Sequence, residues 1–332
     1  MSQSTILKTS QLSKYFPGVV ANENVDFLLN KGEVHCLFGE NGAGKSTLCS
    51  CLFGYHKPDS GRIELDGKLV KFRSPGDAIK CGIGMVHQHF VLVDDFTVLE
   101  NIIVGTNSEK WTLDLEKSEN ELRLICLEYE IDLKFNSLVR DLSVGEQQWV
   151  EILKSLYLDA EILILDEPTA VLTPEESKKL FNIIGKMSKN GISIILISHK
   201  ISEVMQADRV SVMSKGKLIN TVYPKDTTPQ ELTNMMVGRE VTLRVKENKD
   251  VKTATSSKPL LSVKKLNYLN KYKKFALNNV DLELHSGEIL GLAGVSGNGQ
   301  KELFEALSGN LAPDSGTIMY DGEENQGKSS RY

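Results

Sequence analysis

Four short stretches of the chain are apolar at most positions: "EVHCLFG" (Glu33 to Gly39), "GIGMVHQ" (Gly82 to Gln88), "EILILDE" (Glu161 to Glu167) and "ISIILIS" (Ile192 to Ser198). A strand with one wet face alternates apolar and polar residues; these do not, so they read as parallel strands buried on both faces, with helices between them. In "LSVGEQQWVEILKSLY", Trp149, Ile152, Leu153, Leu156 and Tyr157 recur at helical spacing behind an S-x-x-E capping box made by Ser143 and Glu146. The pattern predicts an α/β fold.

Chemistry enters at the ends of these strands. The loop Gly39, Glu40, Asn41, Gly42, Ala43, Gly44, Lys45, Ser46 and Thr47 fits G-x-x-x-x-G-K-[ST], follows an apolar run and leads into a helical segment. Its glycines allow turns closed to other residues, so that backbone N–H groups and a helix N-terminus face phosphate oxygens. Lys45 adds a charge at the β- and γ-phosphates, and the Ser46 hydroxyl is a ligand for Mg²⁺. The plain alternative is an ordinary glycine-rich turn. Asp166 and Glu167 directly follow the run Ile162 to Leu165, at the carboxyl end of a buried strand, where open α/β sheets bind ligands. There Asp166 reaches a Mg²⁺ shell and Glu167 orients or deprotonates an attacking water; otherwise both acids are a solvated strand end. The Ser143 helix has two readings as well: a capped core helix, or an N-terminus aimed at the γ-phosphate of a nucleotide held by another domain.

The chain also repeats itself. Shifted by about 255 residues, Val25 to Gly67 aligns without a gap on Val280 to Gly322, with roughly 19 identities in about 43 positions. The second copy reads "GVSGNGQKE" where the first reads "GENGAGKST", so Gln300 and Lys301 replace Lys45 and Ser46. Gln300 supplies no charge and Lys301 no hydroxyl for Mg²⁺; the second loop is expected to hold phosphate through amides and to hydrolyse poorly. A first domain over 1–245, a charged Ser/Thr-rich linker over 246–259 and a truncated, degenerate second copy over 260–332 follow. The tail "EENQGKSSRY" is polar and aperiodic and is expected to be disordered.

Bulk properties narrow the partners. A net charge of −5 with interspersed signs offers no basic field for nucleic acid and no polybasic cluster for lipid. Five cysteines form no CxxC pair, which suits a reducing compartment. The N-terminus lacks a signal pattern and no window approaches the ~18 apolar residues of a membrane helix, so a cytoplasmic chain is expected.

The motifs stand in the order found in ABC-transporter ATPases, which the chain resembles over nearly its whole length up to about Gly322: the loop Gly39 to Thr47, Gln88 after a strand, "LSVGE" at Leu142 to Glu146, "ILILDEP" at Ile162 to Pro168, and "SHK" around His199. The resemblance implies a P-loop NTPase of ABC type, with a mixed sheet core and a helical subdomain at about 90–155. It implies ATP and Mg²⁺, the metal held by Ser46, Gln88 and Asp166. Glu167, Gln88 and the switch residue His199 would be catalytic, and Leu142, Ser143, Val144, Gly145 and Glu146 would form the signature. Phe16 in "KYFPGV" matches the aromatic that stacks on adenine, its alternative being a core phenylalanine. Tandem fusion with a weakened second loop is similar to ATPases of monosaccharide importers of the ribose and galactose type and their nucleoside-importing relatives. Such subunits work peripherally at the cytoplasmic face of the membrane, with permease subunits and a substrate-binding protein. The first ATP site would be completed by a second ABC domain or a second copy. Val144, Glu146 and Thr173 depart from the usual glycine, glutamine and aspartate, which bears on communication across such a dimer. A soluble tandem ABC protein acting on ribosome or DNA would show two intact loops and a basic or coiled-coil insert, which this sequence lacks. A truncated ATP-binding fragment without turnover stays open.

Overall fold

The computed structural model describes residues 4–88, 90–104, 114–237, 258–270, 273–294 and 298–324. The chain divides into two compact units, Met1–Leu243 and Arg244–Tyr332. In chain order the first contains β1 (Thr5–Phe16), β2 (Val19–Val25), β3 (Leu28–Asn30), β4 (Val34–Phe38), α1 (Lys45–Leu52), β5 (Ser60–Leu65), β6 (Lys68–Val70), α2 (Pro75–Lys80) and β7 (Ile83–Val86). There follow α3 (Val98–Ile103), α4 (Leu115–Tyr129), α5 (Val144–Tyr157), β8 (Ile162–Asp166), α6 (Pro174–Lys189), β9 (Ser193–Ser198), α7 (Ile201–Val204), β10 (Arg209–Ser214), β11 (Lys217–Val222) and α8 (Pro229–Val237).

The four apolar runs form β4, β7, β8 and β9, and these lie in a six-stranded sheet of order β11-β10-β4-β9-β8-β7. All its pairings are parallel except β10 with β11. Successive residues explain the unbroken apolar pattern. Cys36, Phe38, Leu163, Leu165, Ile194 and Leu196 enter one core with α3 to α6, while Leu37, Ile162, Ile164, Ile195 and Ile197 enter another with α1 and the antiparallel sheet. With both faces covered, each large side chain contributes roughly 1.5–3 kcal/mol by leaving water. The antiparallel sheet has the order β2-β1-β5-β6, with β3 on β1.

Helix ends follow local signals. Thr173 caps α6 with Pro174 next, acids in the first turn and lysines in the last. The departure from aspartate at Thr173 is thereby explained in structural terms, since either residue serves as an N-cap. Of the apolar residues expected on the Ser143 helix, Trp149, Ile152, Leu153 and Leu156 are buried and Tyr157 packs partly buried against the same core, while α5 also buries Gly145, Gln148, Val150, Glu151 and Ser155. It packs against both α3 and α4 and the edge strand β7, so more than one side needs cover.

The second unit contains β12 (Leu261–Leu269), β13 (Phe275–Leu284), α9 (Gln300–Leu307), β14 (Ser315–Tyr320) and β15 (Glu323–Glu324), in a sheet of order β13-β12-β14-β15. Val263, Leu266, Leu277, Leu303, Ala306 and Ile318 form its core. The repeat is written in its backbone. Left-handed φ angles recur at the same offset in Asn24 and Asn279, Gly32 and Gly287, Gly44 and Gly299, Gly54 and Gly309, Gly61 and Gly316, and Asp66 and Asp321. The disordered tail is corrected at its start: Glu323 and Glu324 pair with Tyr320 and Met319 in a hairpin. The rest of that tail, and the expected linker up to residue 257, lie outside the described residues. The stretch 289–293, aligned with β4, pairs with no strand among the described residues, and Ile289 is 99% exposed.

Candidate functional site

Where β4 ends, the chain turns back on itself around a lysine. Lys45, the first residue of α1, is 5% exposed, and its Nζ donates to the carbonyls of Gly39 (2.7 Å) and Glu40 (2.9 Å). Burial pulls its pKa down, opposed by the charges of Glu167 and Asp166. A cation held this way gains from an anion placed beside it. No side chain caps the first turn of α1 and no acid sits in it, so its amides have no local partner of that kind.

The loop glycines act for different reasons. Gly44 has φ 98°, and a Cβ there would lie 2.3 Å from the Ala21 carbonyl oxygen; Asn22 Nδ2 also donates to the Gly44 carbonyl at 3.0 Å. Gly42 needs only its left-handed turn, φ 81°. At Gly39 the sequence-based reason is corrected: its φ is not left-handed, but a Cβ would meet the Met213 carbonyl oxygen at 2.4 Å.

The ends of β8 and β9 complete the site. Asp166 is 8% exposed and accepts from Ser46 Oγ at 3.3 Å. Burial raises its carboxyl pKa, the Ser46 hydrogen bond lowers it and neighbouring Glu167 raises it again. Directly after it, Glu167 adopts φ 48°, with its N–H bonded to the Ile197 carbonyl at 3.0 Å. That bend leaves Asp166 on Ser46 and brings Glu167 against two other candidates. His199 Nδ1 lies 2.9 Å from Glu167 Oε1, and Gln88 Nε2 donates to Glu167 Oε2 at 3.3 Å.

Lys45, Ser46, Asp166, Glu167, Gln88 and His199 therefore converge. Ser46 hydroxyl, Asp166 carboxylate and the Gln88 amide oxygen are hard oxygen donors of the type Mg²⁺ takes. Among the described residues no group of three His, Cys, Asp or Glu is placed to hold a metal. Phe16 is 37% exposed, with its ring 5.2 Å from that of His56 and Lys14 Nζ 5.4 Å away. It is a surface aromatic rather than a core one.

The "LSVGE" residues share no hydrogen bond with this group. Ser143 caps α5: its Oγ accepts from Glu146 N–H at 3.3 Å and its own N–H donates to Glu146 Oε2 at 2.8 Å. At Gly145 a Cβ would lie 2.6 Å from Glu176 Oε1, the end of a flexible side chain that can move aside. Sequence reasoning missed Asn22 and Glu203. The former reads as an ordinary strand residue, the latter as an acid on the wet side of a short helix.

The second loop differs by more than its two substitutions. Gly299 repeats Gly44, with φ 90° and a Cβ that would lie 2.3 Å from the Ala276 carbonyl oxygen. The Gln300 amide folds over Gly294, while Lys301 points out to Glu305 at 3.9 Å and is 81% exposed. Glu302, which aligns with Thr47, puts a carboxylate in the first turn of α9.

The ABC transporter family matches residues 22–170 and 277–332. The chain is 45% identical to the nucleoside import ATP-binding protein NupA of Lactococcus lactis subsp. cremoris, over 96% of this chain and 62% of that protein. It is 44% identical to the guanosine import ATP-binding protein NupO of Bacillus subtilis, over 98% of this chain and 64% of the relative. The ribose import ATP-binding protein RbsA of Clostridium tetani is 38% identical, over 96% and 62% respectively. The chain thus spans less than two thirds of these relatives' length. Among solved structures, cbiO1 of Clostridium perfringens, described as part of the ABC transporter complex cbiONQ, superposes with a TM-score of 0.60 at 30% identity, covering 73% of this chain and 96% of that one.

Proposed function

The chain belongs to the ABC transporter family, and from that premise we propose that it is an ATP-binding and hydrolysing subunit that energises uptake of a simple sugar or nucleoside through separate membrane permease subunits. The observation that carries the reading is the convergence on one strand edge of a buried lysine inside a glycine loop, a Ser46–Asp166 pair and a Gln88–Glu167–His199 chain. The names of the nucleoside, guanosine and ribose importers favour this substrate class. We read 90–155 as the helical subdomain and 260–332 as a degenerate second ABC domain.

Lys45 and the amides of the loop and α1 hold the triphosphate. Ser46, Asp166 and Gln88 would hold Mg²⁺, which would supply positive charge to the phosphates during transfer. Glu167 accepts a proton from the attacking water, and His199 fixes the carboxylate and stands beside the γ-phosphate. Phe16 stacks on the base. The Leu142–Glu146 signature serves a nucleotide bound by another domain, and the first site takes its signature from a second ABC domain or a second copy, working at the cytoplasmic membrane face with a substrate-binding protein. Glu167→Gln is expected to keep ATP affinity within ~2-fold while lowering turnover at least ~10²-fold, because an amide accepts no proton. Phosphate release at the parent rate would show that Glu167 is not the base.

A further inference from the structure

Beside the Glu167–His199 pair lies a carboxylate that this chemistry does not use. Glu203 in α7 is 5% exposed. Its Oε2 accepts from Ser198 Oγ at 2.6 Å, and its Oε1 accepts from Thr169 Oγ1 and lies 3.3 Å from Lys200 Nζ. Lys200 closes the cluster: Nζ donates to the Thr169 carbonyl at 3.0 Å and to Thr169 Oγ1 at 2.9 Å, and its N–H donates to Ser198 Oγ at 3.0 Å.

The residues so joined are not random neighbours. Ser198 and Lys200 flank His199, and Thr169 stands two residues after Glu167. The strands themselves stop short of the pair, because the β8–β9 ladder ends with Asp166 opposite Ile197. Beyond that rung His199 is 45% exposed, so water competes for its bond to Glu167. We propose that Glu203 is a positioning residue that ties the loop after β8 to the loop after β9 and so sets the Glu167–His199 geometry, an inference that rests on reading Glu167 as the base. Burying a carboxylate costs several kcal/mol and an apolar residue of similar volume often serves stability equally well, so a stability role alone gives no reason for an acid here. Charge-assisted hydrogen bonds from two hydroxyls, with an ammonium ion-paired at 3.3 Å, fix both loops more tightly than neutral contacts would.

The full chain is tested as Glu203→Gln, with Thr169→Val and Ser198→Ala as milder variants and Glu203→Gln/Thr169→Val as the double. Three quantities are read: kcat and KM per folded molecule, ATP affinity by fluorescent-nucleotide titration, and the ring-nitrogen resonances of His199 in ¹⁵N-histidine-labelled protein without nucleotide. A misplacement of about 1 Å at a catalytic group costs up to ~10²-fold, so kcat is expected to fall ~10- to 100-fold with KM and affinity within ~2-fold. The double variant is expected to cost no more than the worse single, since the residues act through one cluster. The His199 ring signal is expected to move in every variant. Parent kcat, or an unmoved His199 signal with only a lowered Tm, overturns the proposal. The ring signal is independent of hydrolysis, so it decides the positioning even if the parent turns over no ATP, a result that would count against the proposed function instead.

Discussion

The repeated loop offers a matched experiment, because Gly44 and Gly299 have nearly the same backbone and nearly the same neighbour. Their φ angles are 98° and 90°, and a Cβ at either would lie 2.3 Å from a carbonyl oxygen, of Ala21 or Ala276. Alanine in the left-handed region costs about 1–2 kcal/mol. The new methyl must also retreat by roughly 1 Å from rigid backbone, a form of overpacking that costs about 1–3 kcal/mol. Each substitution should therefore weaken its unit by about 2–5 kcal/mol, against a typical domain stability of about 5–15 kcal/mol. Calorimetry should show a fall of about 2–4 °C per kcal/mol for the larger first unit and about 4–8 °C per kcal/mol for the smaller second one. Only Gly44→Ala also pushes the loop away from Ala21 and strains the Asn22–Gly44 hydrogen bond of 3.0 Å. Its ATP affinity is expected to drop at least ~10-fold, which corresponds to only about 1.4 kcal/mol, while Gly299→Ala keeps parent affinity. If the two substitutions weaken ATP binding equally, or if Gly44→Ala leaves it unchanged, the first loop is not the dominant nucleotide site.

Two further outcomes follow from the charges. Burial holds the Asp166 carboxyl above its ordinary pKa, so the native chain binds that proton more tightly than the unfolded one, and stability falls as pH rises from the ordinary carboxylate value through the raised one. Asp166→Asn removes this penalty: without nucleotide it should be more stable than the parent at pH 7 by about 0.5–2 kcal/mol, with the difference vanishing below about pH 4, and Mg²⁺-dependent ATP binding should be lost. Equal melting temperatures at pH 7 would contradict the burial argument. Lys45→Ala should abolish most ATP binding whereas Gln300→Ala changes it little, as nucleotide titration of both would show.

The sequence speaks most clearly where chemistry is local. Four parallel strands are legible because residues such as Leu163 and Ile164 point into different cores and both must be apolar. The antiparallel sheet is not, since β1 carries a left-handed Gln11 and a register shift between Ser10 and Ser13 that break its period of two. Likewise the glycine loop, Asp166 and Glu167 are contiguous signals, and Gln88 and His199 follow strand ends. Glu203 reaches the loop after β8 through Thr169, 34 residues away in sequence, and Gly39 is needed because of Met213; neither requirement leaves a local trace.

The same distinction bears on why the second loop is altered. In it, Gln300 removes the cation, Lys301 turns outward and Glu302 adds a negative charge to a helix N-terminus that would otherwise favour an anion. In the first unit, Glu146 closes the cap on α5 with its own carboxylate and so adds a negative charge to that helix end. Each departure makes its own helix end less able to hold an anion. Neither touches Lys45, Ser46 or Glu167. On the proposed reading the loop from Gly39 to Thr47 carries the hydrolytic chemistry, while the second loop keeps only the left-handed glycine turn at Gly299.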